Sequence, residues 1–202
     1  MSSTILTLGI LFSIFTGLAG AQPAWVKDTD GQPLKAGTYY YVLPAQSSSF
    51  GGLYSASRNR VQCPLYVTQI DMSTVDGVPA RFAPVNGMDL VPLSTDLNVE
   101  SYNSNICPDP TVWTLAPVDK KTRQTFVKYG GVAGSPGRAT LRNWFRIEEE
   151  GEHYKLVFCP AVCKTCRVRC GNLGVYLAPN DVRWLVLGGD TLPVKFKKSE
   201  KN

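Results

Sequence analysis

Val26-Lys27-Asp28-Thr29-Asp30-Gly31-Gln32-Pro33-Leu34-Lys35-Ala36-Gly37-Thr38-Tyr39-Tyr40-Tyr41-Val42 is the stretch on which the fold turns. Asp30-Gly31 is a turn signal: aspartate hydrogen-bonds its own backbone, and glycine takes a positive φ without a Cβ penalty. From Thr38 to Leu43 the chain then runs through aromatic and β-branched residues, the composition of a strand with aromatic anchors. A turn leading straight into such a strand sets an all-β reading.

Outward from that stretch the same pattern repeats, and helical periodicity is scarce. Strand-like runs are Leu65–Gln69, Leu97–Glu100, Val112–Leu115, Thr125–Lys128, Asn143–Glu148, Tyr154–Phe158, Gly174–Leu177, Arg183–Leu187 and Pro193–Phe196. Weaker runs lie near Leu53 and at Ala80–Phe82. Gly and Pro punctuate them, as in Phe50-Gly-Gly, Asp76-Gly, Asn86-Gly, Gly130-Gly, Ser135-Pro-Gly and Gly188-Gly. These supply the positive-φ positions of tight turns. About a dozen strands suggest three units of roughly sixty residues with four strands each, as in a β-trefoil. Closing the sheet would also remove its free edges. By pattern alone a β-sandwich is the rival architecture.

Upstream, the apolar run Ile5 to Leu18 ends in Ala19-Gly20-Ala21. An apolar run of this length before an Ala-x-Ala site reads as a secretory signal peptide, although no Lys or Arg precedes it. It is shorter than the roughly twenty residues of a membrane span. Residues 1–21 are expected to be removed, leaving one domain over residues 22–202. The net charge of +5 is concentrated late, in Lys164, Arg167, Arg169 and the tail from Lys195. Behind a signal peptide this reads as a solvated terminus, and neither a nucleic-acid nor a membrane partner is expected. Cys63, Cys107, Cys159, Cys163, Cys166 and Cys170 form an even set in an exported chain, which implies disulfides. The count leaves every pairing open, and the last four are also readable as a four-thiolate zinc site. The oxidising route argues against metal, and no cofactor is expected.

The opening stretch resembles the N-terminal signature of the Kunitz soybean-type inhibitor family, with Val26, Asp28, Gly31, Leu34, Tyr40 and Val42 at the family's spacing. Gln62-Cys63-Pro64-Leu65, Ser94-Thr-Asp-Leu-Asn98, Ser135-Pro-Gly137, Asn143-Trp-Phe145, Tyr154-Lys-Leu-Val-Phe-Cys159-Pro160 and the Cys159–Cys170 cluster are similar to its miraculin-like branch. The resemblance spans essentially the whole mature chain. It implies a disulfide-stapled β-trefoil, the pairs Cys63–Cys107, Cys159–Cys170 and Cys163–Cys166, and a plant defence protein. Its implied partners are secreted or digestive proteases, blocked by a rigid substrate-like loop, and no enzymatic activity is expected. Members of the branch that dimerise carry a further cysteine before the Tyr-Lys-Leu-Val-Phe segment. Here that position falls in Glu149-Glu-Gly-Glu-His153, so a monomer is expected.

The family spacing places the reactive loop at Val85, Asn86, Gly87, Met88 and Asp89, with Gly87 at the position that fills the protease specificity pocket. No Lys or Arg occurs between Arg81 and Lys120. A trypsin-like pocket ends in a carboxylate, so glycine there would leave it unpaired. The asparagine with which inhibitory relatives brace the loop from inside is also replaced, by Ala36 in Lys35-Ala36-Gly37. Trypsin is therefore not the expected target. Asn86 would suit an asparaginyl endopeptidase and Met88 a subtilisin- or elastase-like pocket. As a local signal, Asn86-Gly87 reads as a hairpin turn. The alternatives are a non-inhibitory module binding a carbohydrate, a receptor or another protein, and a cysteine-protease inhibitor acting through another loop.

Other candidate chemistry is thin. His153, the sole histidine, is expected in an exposed acidic turn with no nucleophile beside it. Asp28, Asp30 and Asp96 read as turn residues and Arg81 as a surface charge. Trp113, Trp144 and Trp184 are expected in the core and Trp25 at the surface. There is no Asn-x-Ser/Thr sequon. The secretory route leaves an extracellular or vacuolar destination open.

Overall fold

Tyr40 and Val42, Ala80 and Phe82, Leu97 and Val99, Phe145 and Ile147, Leu156 and Phe158, and Val194 and Phe196 are pairs spaced two residues apart, none more than 5% exposed. Spacing of two puts both members of a pair on one face of a strand. The computed structural model, which describes residues 24–46, 49–102 and 107–200, places these pairs on strands that close a barrel, Phe145 standing just before its strand in a bridge to Leu97. The leader expected over residues 1–21 lies outside the described residues.

The barrel strands are β1 (Tyr39–Pro44), β4 (Ala80–Pro84), β5 (Leu97–Ser101), β8 (Arg146–Glu150), β9 (His153–Phe158) and β13 (Val194–Lys198). Antiparallel pairing runs β1 to β4, β4 to β5, β8 to β9, β9 to β13 and β13 back to β1. The ring closes between β5 and β8, where Leu97 and Phe145 exchange backbone hydrogen bonds of 2.8 and 2.9 Å.

Three hairpins cap the barrel: β2 (Leu53–Arg58) with β3 (Val61–Gln69), β6 (Thr114–Leu115) with β7 (Val127–Lys128), and β10 (Gly171–Leu177) with β11 (Arg183–Leu187). They meet around a triangle in which β3 pairs with both others and Phe126 bridges to Val186. The chain thus falls into β1–β4, β5–β8 and a third unit of β9, β10, β11 and β13, which is a β-trefoil. Among the described residues no helix is long and apolar enough to cross a membrane.

The structure differs from the sequence reading in particular elements. β12 (Asp190–Thr191), which pairs with β10, carries nothing apolar to announce it. The run Asn143–Glu148 starts as a 3-10 turn, Leu141–Asn143, and is a continuous strand only from Arg146. β2 and β3 are longer than expected because Asn59 and Arg60 both take positive φ, 57° and 60°, and close the two-residue turn that joins them.

Cys63–Cys107 ties β3 to the segment leading to β6; Cys159–Cys170 brackets the β9–β10 connection, and Cys163–Cys166 lies inside it. With every cysteine paired, the four-thiolate zinc reading has no ligands. In the chain-entropy model a closed loop of about 45 residues, such as the first, is worth about 4 kcal/mol.

Phe145 meets Trp113 and Phe158 edge-on, with ring centroids 6.3 and 5.9 Å away. Phe145→Ala is expected to lower the stability in denaturant by about 3–5 kcal/mol, against at most about 0.5 for Tyr54→Ala on the surface. Asp119 accepts hydrogen bonds from the Thr122 N–H (2.8 Å) and hydroxyl (3.0 Å), the Lys121 N–H (3.0 Å) and Arg58 Nη2 (3.0 Å). Led by the Thr122 backbone bond, and against the opposing effect of burial, these hold its pKa down to about 2. A carboxyl that is more acidic folded than unfolded stabilises the fold above the unfolded value of about 4, and that contribution is lost as pH falls through the folded value. Asp119→Asn should therefore cost about 1–2 kcal/mol at neutral pH, with the gap to wild type closing between pH 4 and 2 in urea titrations.

Candidate functional site

The connection from β4 to β5 leaves the barrel at Pro84 and returns at Leu97, carrying Val85 to Asp89 exposed at its outer end. On the outgoing arm, the Val85 N–H donates to the Asp96 carbonyl at 2.8 Å, joining the base of the loop. The Gly87 N–H donates to the Pro84 carbonyl at 3.0 Å, forming a β-turn, and Gly87 has φ +67°. Asn86 stiffens the tip: its Oδ1 accepts from the Met88 N–H at 3.4 Å and its Nδ2 points at the Met88 sulfur at 3.0 Å.

The returning arm is held by the segment from Ala24 to Ala36. The Ala36 N–H donates to the Asp89 carbonyl at 2.8 Å, and the Val91 N–H donates to the Leu34 carbonyl at 2.9 Å. The Val26 N–H donates to the Val91 carbonyl at 3.0 Å, and the Leu93 N–H donates to the Ala24 carbonyl at 2.8 Å. Val26, Leu34 and Val91 are fully buried together. The asparagine brace is absent, as Ala36 requires, and this residue meets the loop through its backbone N–H alone.

That stretch is itself rigid. Asp28 Oδ1 accepts from the Asp30 and Gln32 N–H groups at 3.0 and 2.9 Å, and Gly31 turns the chain at φ +75°. The Tyr40 hydroxyl accepts from the Lys35 N–H at 3.0 Å, while burial pushes the Tyr40 phenol up from its ordinary pKa.

Asp96 corrects its reading as a turn residue. It is 6% exposed; Oδ1 accepts from Arg146 Nε and Oδ2 from the Ala161 N–H, each at 2.6 Å. One carboxylate thus joins the base of the loop to β8 and to the disulfide-bracketed segment. Arg81 is engaged as well, 2.7 Å from Glu100 and over the Tyr39 ring at 5.5 Å, so it is not a free specificity residue. His153 is not in a turn: it opens β9 opposite Glu150, half-buried. Trp25 is half-buried against Pro92 rather than fully exposed.

Chemically, the tip offers Val85 and Met88, 37% and 38% exposed, together with the Asn86 amide and the Asp89 carboxylate. Gly87 faces open space but has a backbone that L side chains resist, so the position equivalent to a pocket-filling residue carries none.

Comparison with known proteins agrees with this architecture. The Kunitz legume family, described as trypsin and protease inhibitors, matches residues 26–198. Kunitz trypsin inhibitor 5 of Arabidopsis thaliana is 34% identical, with 98% of this chain and 99% of that protein covered. Miraculin of Synsepalum dulcificum is 38% identical, with 90% and 86% covered. A solved Kunitz-type cysteine protease inhibitor from potato superposes with a TM-score of 0.75 at 31% identity, over 90% of this chain and all of that one. An opening segment that clamps the β4–β5 loop, a closed trefoil and an end-to-end match place the chain in the Kunitz legume family of trypsin and protease inhibitors.

Proposed function

We propose that this chain is a secreted inhibitor of endopeptidases that acts by binding rather than turnover, through Val85–Asp89, on a protease with an apolar specificity pocket. The observation that carries the reading is a loop exposed at its tip, tied by backbone hydrogen bonds on both arms, and free of any basic side chain. Tying the arms removes the ordering cost that a flexible substrate pays on binding. A trypsin-type pocket offered Gly87 would keep a buried, unpaired carboxylate, at a cost of several kcal/mol. Met88, the largest apolar side chain at the tip, suits a subtilisin- or elastase-like pocket instead. The leader-like residues 1–21 and the fully paired cysteines support export, to the extracellular space or the vacuole.

Gly87 favours a second reading. Its positive φ, inside the Pro84–Gly87 turn, bends the backbone where a substrate-like loop would run extended. On that reading the scaffold is a binding module that has given up inhibition. The potato relative, described as a cysteine protease inhibitor, raises a further arrangement in which another loop carries the activity.

Inhibition constants of the refolded mature protein against trypsin, chymotrypsin, subtilisin, papain and an asparaginyl endopeptidase separate these readings. The expected result is tight inhibition of subtilisin, weakened at least about tenfold by Met88→Ala, and none of trypsin. A folded protein silent against all five would leave the binding module. Inhibition indifferent to Met88→Ala, Asn86→Ala and Gly87→Arg would move the site to another loop. Selective loss of asparaginyl-endopeptidase inhibition on Asn86→Ala would name Asn86 as the contact.

The rigidity on which the proposal depends is testable separately. Asp96→Ala strands a half-buried guanidinium and the Ala161 N–H, and should cost about 3–5 kcal/mol in denaturant titrations. It should also open the loop, so that limited proteolysis cuts within Val85–Asp89 well below the unfolding midpoint. Cleavage no faster than in wild type would show that the residue 24–36 clamp suffices alone.

A further inference from the structure

A concave feature lies apart from the β4–β5 loop. Between the β6–β7 hairpin, the Leu141–Asn143 turn and the segment after Cys166 lies a cavity of about 290 Å³. Its apolar lining is formed by Leu115, Phe158 and Leu187, with Val118, 53% exposed, at the opening. Its rim is basic, formed by Arg142, Arg167 and Arg169, and among the described residues no carboxylate lines it. Arg58, Arg81 and Arg146 each hold a carboxylate within 3.0 Å, whereas no described carboxylate pairs with the rim arginines. Arg142 is steadied by a 3.4 Å bond from Nη1 to the Leu115 carbonyl. Arg167 and Arg169 stand on a backbone pinned on both sides, at Cys166 to Cys163 and at Cys170 to Cys159.

We propose that this cavity binds a small amphipathic organic anion, with its carboxylate or sulfonate among the three guanidiniums and its apolar body on the Phe158–Leu187 floor. Three cations without a carboxylate partner around one apolar cavity give it a positive potential that favours an anion, most strongly at low salt. Guanidinium forks suit the planar, two-oxygen geometry of such heads. The volume is at the small end for ligand pockets and limits the occupant to about fifteen non-hydrogen atoms or to a partly inserted larger one. The disulfides hold the backbone beneath Arg167 and Arg169 before binding, so the ordering cost there falls on the arginine side chains rather than on the chain that carries them.

The test is a fluorescence and calorimetric titration of the folded mature protein with 8-anilinonaphthalene-1-sulfonate at low salt. A single saturable site is expected, weakened about tenfold or more by the double change Arg167→Ala and Arg169→Ala. Val118→Asp should weaken it similarly, while Lys27→Ala with Lys198→Ala, on exposed positions elsewhere, should not. All four substituted rim and control arginines and lysines are exposed, so the unfolding midpoint should stay at the wild-type value. Absence of a saturable site, or wild-type affinity in the double arginine variant, overturns the proposal. Equal affinity for uncharged 1-anilinonaphthalene would reduce the cavity to an apolar patch, and equal affinity for inorganic sulfate to a bare charge cluster; either overturns it too.

Discussion

Closure of the six-stranded barrel is the constraint from which the remaining structure follows. Each barrel strand, with Phe145 just ahead of β8, supplies two inward side chains, and the ring holds only if they fill one interior closely. Phe82 meets Phe196 edge-on at 5.3 Å, and Phe145 meets Phe158 at 5.9 Å, so aromatic rings contributed by all three units interlock inside it. Interiors packed this way resist local adjustment, which makes the strand ends fixed points in space. The connections between strands inherit their geometry from those points.

The β4–β5 connection shows how a loop inherits that order. It has no regular structure over its exposed tip, yet its arms are tied to the barrel through Asp96 and through the segment from Ala24 to Ala36. Asp96 is the tighter tether, because a buried carboxylate must keep its donors or pay heavily in desolvation. The backbone bonds to Leu34 and Ala36 act differently, holding the chain without dictating side chains. That division leaves Val85, Asn86, Met88 and Asp89 free to differ among proteins sharing the scaffold, while the frame around them stays put.

Strand positions were largely legible because the inward pairs obey a period of two, a local pattern with a global meaning. β12 was not, since Asp190 and Thr191 become a strand only where Gly174 lets the chain press close; a Cβ at Gly174 would run into the Asp190 carbonyl. A turn near Asn86-Gly87 was readable from the dipeptide, but its register was not: it runs from Pro84 to Gly87 with Val85 and Asn86 at its centre, inside a long connection rather than a two-residue hairpin. The clamp on the returning arm was not: it is made of backbone hydrogen bonds between segments far apart in the chain, which leave no mark in residue identity. Asp96 was misjudged for a related reason. Its partner Arg146 lies fifty positions away, and only the fold shows that the two meet in a buried place.

The register that sets Tyr40 opposite Lys198 joins the first barrel strand to the last. On the ribosome, β1 emerges early and must wait unpaired on that edge until nearly the whole chain has been made. Such a ring offers few local contacts to reward early folding, which makes its assembly slow and leaves an apolar strand edge open meanwhile. A truncation that removes only β13 would therefore do more than shorten a tail: it would return a closed surface to an open sheet, with an edge that recruits other chains.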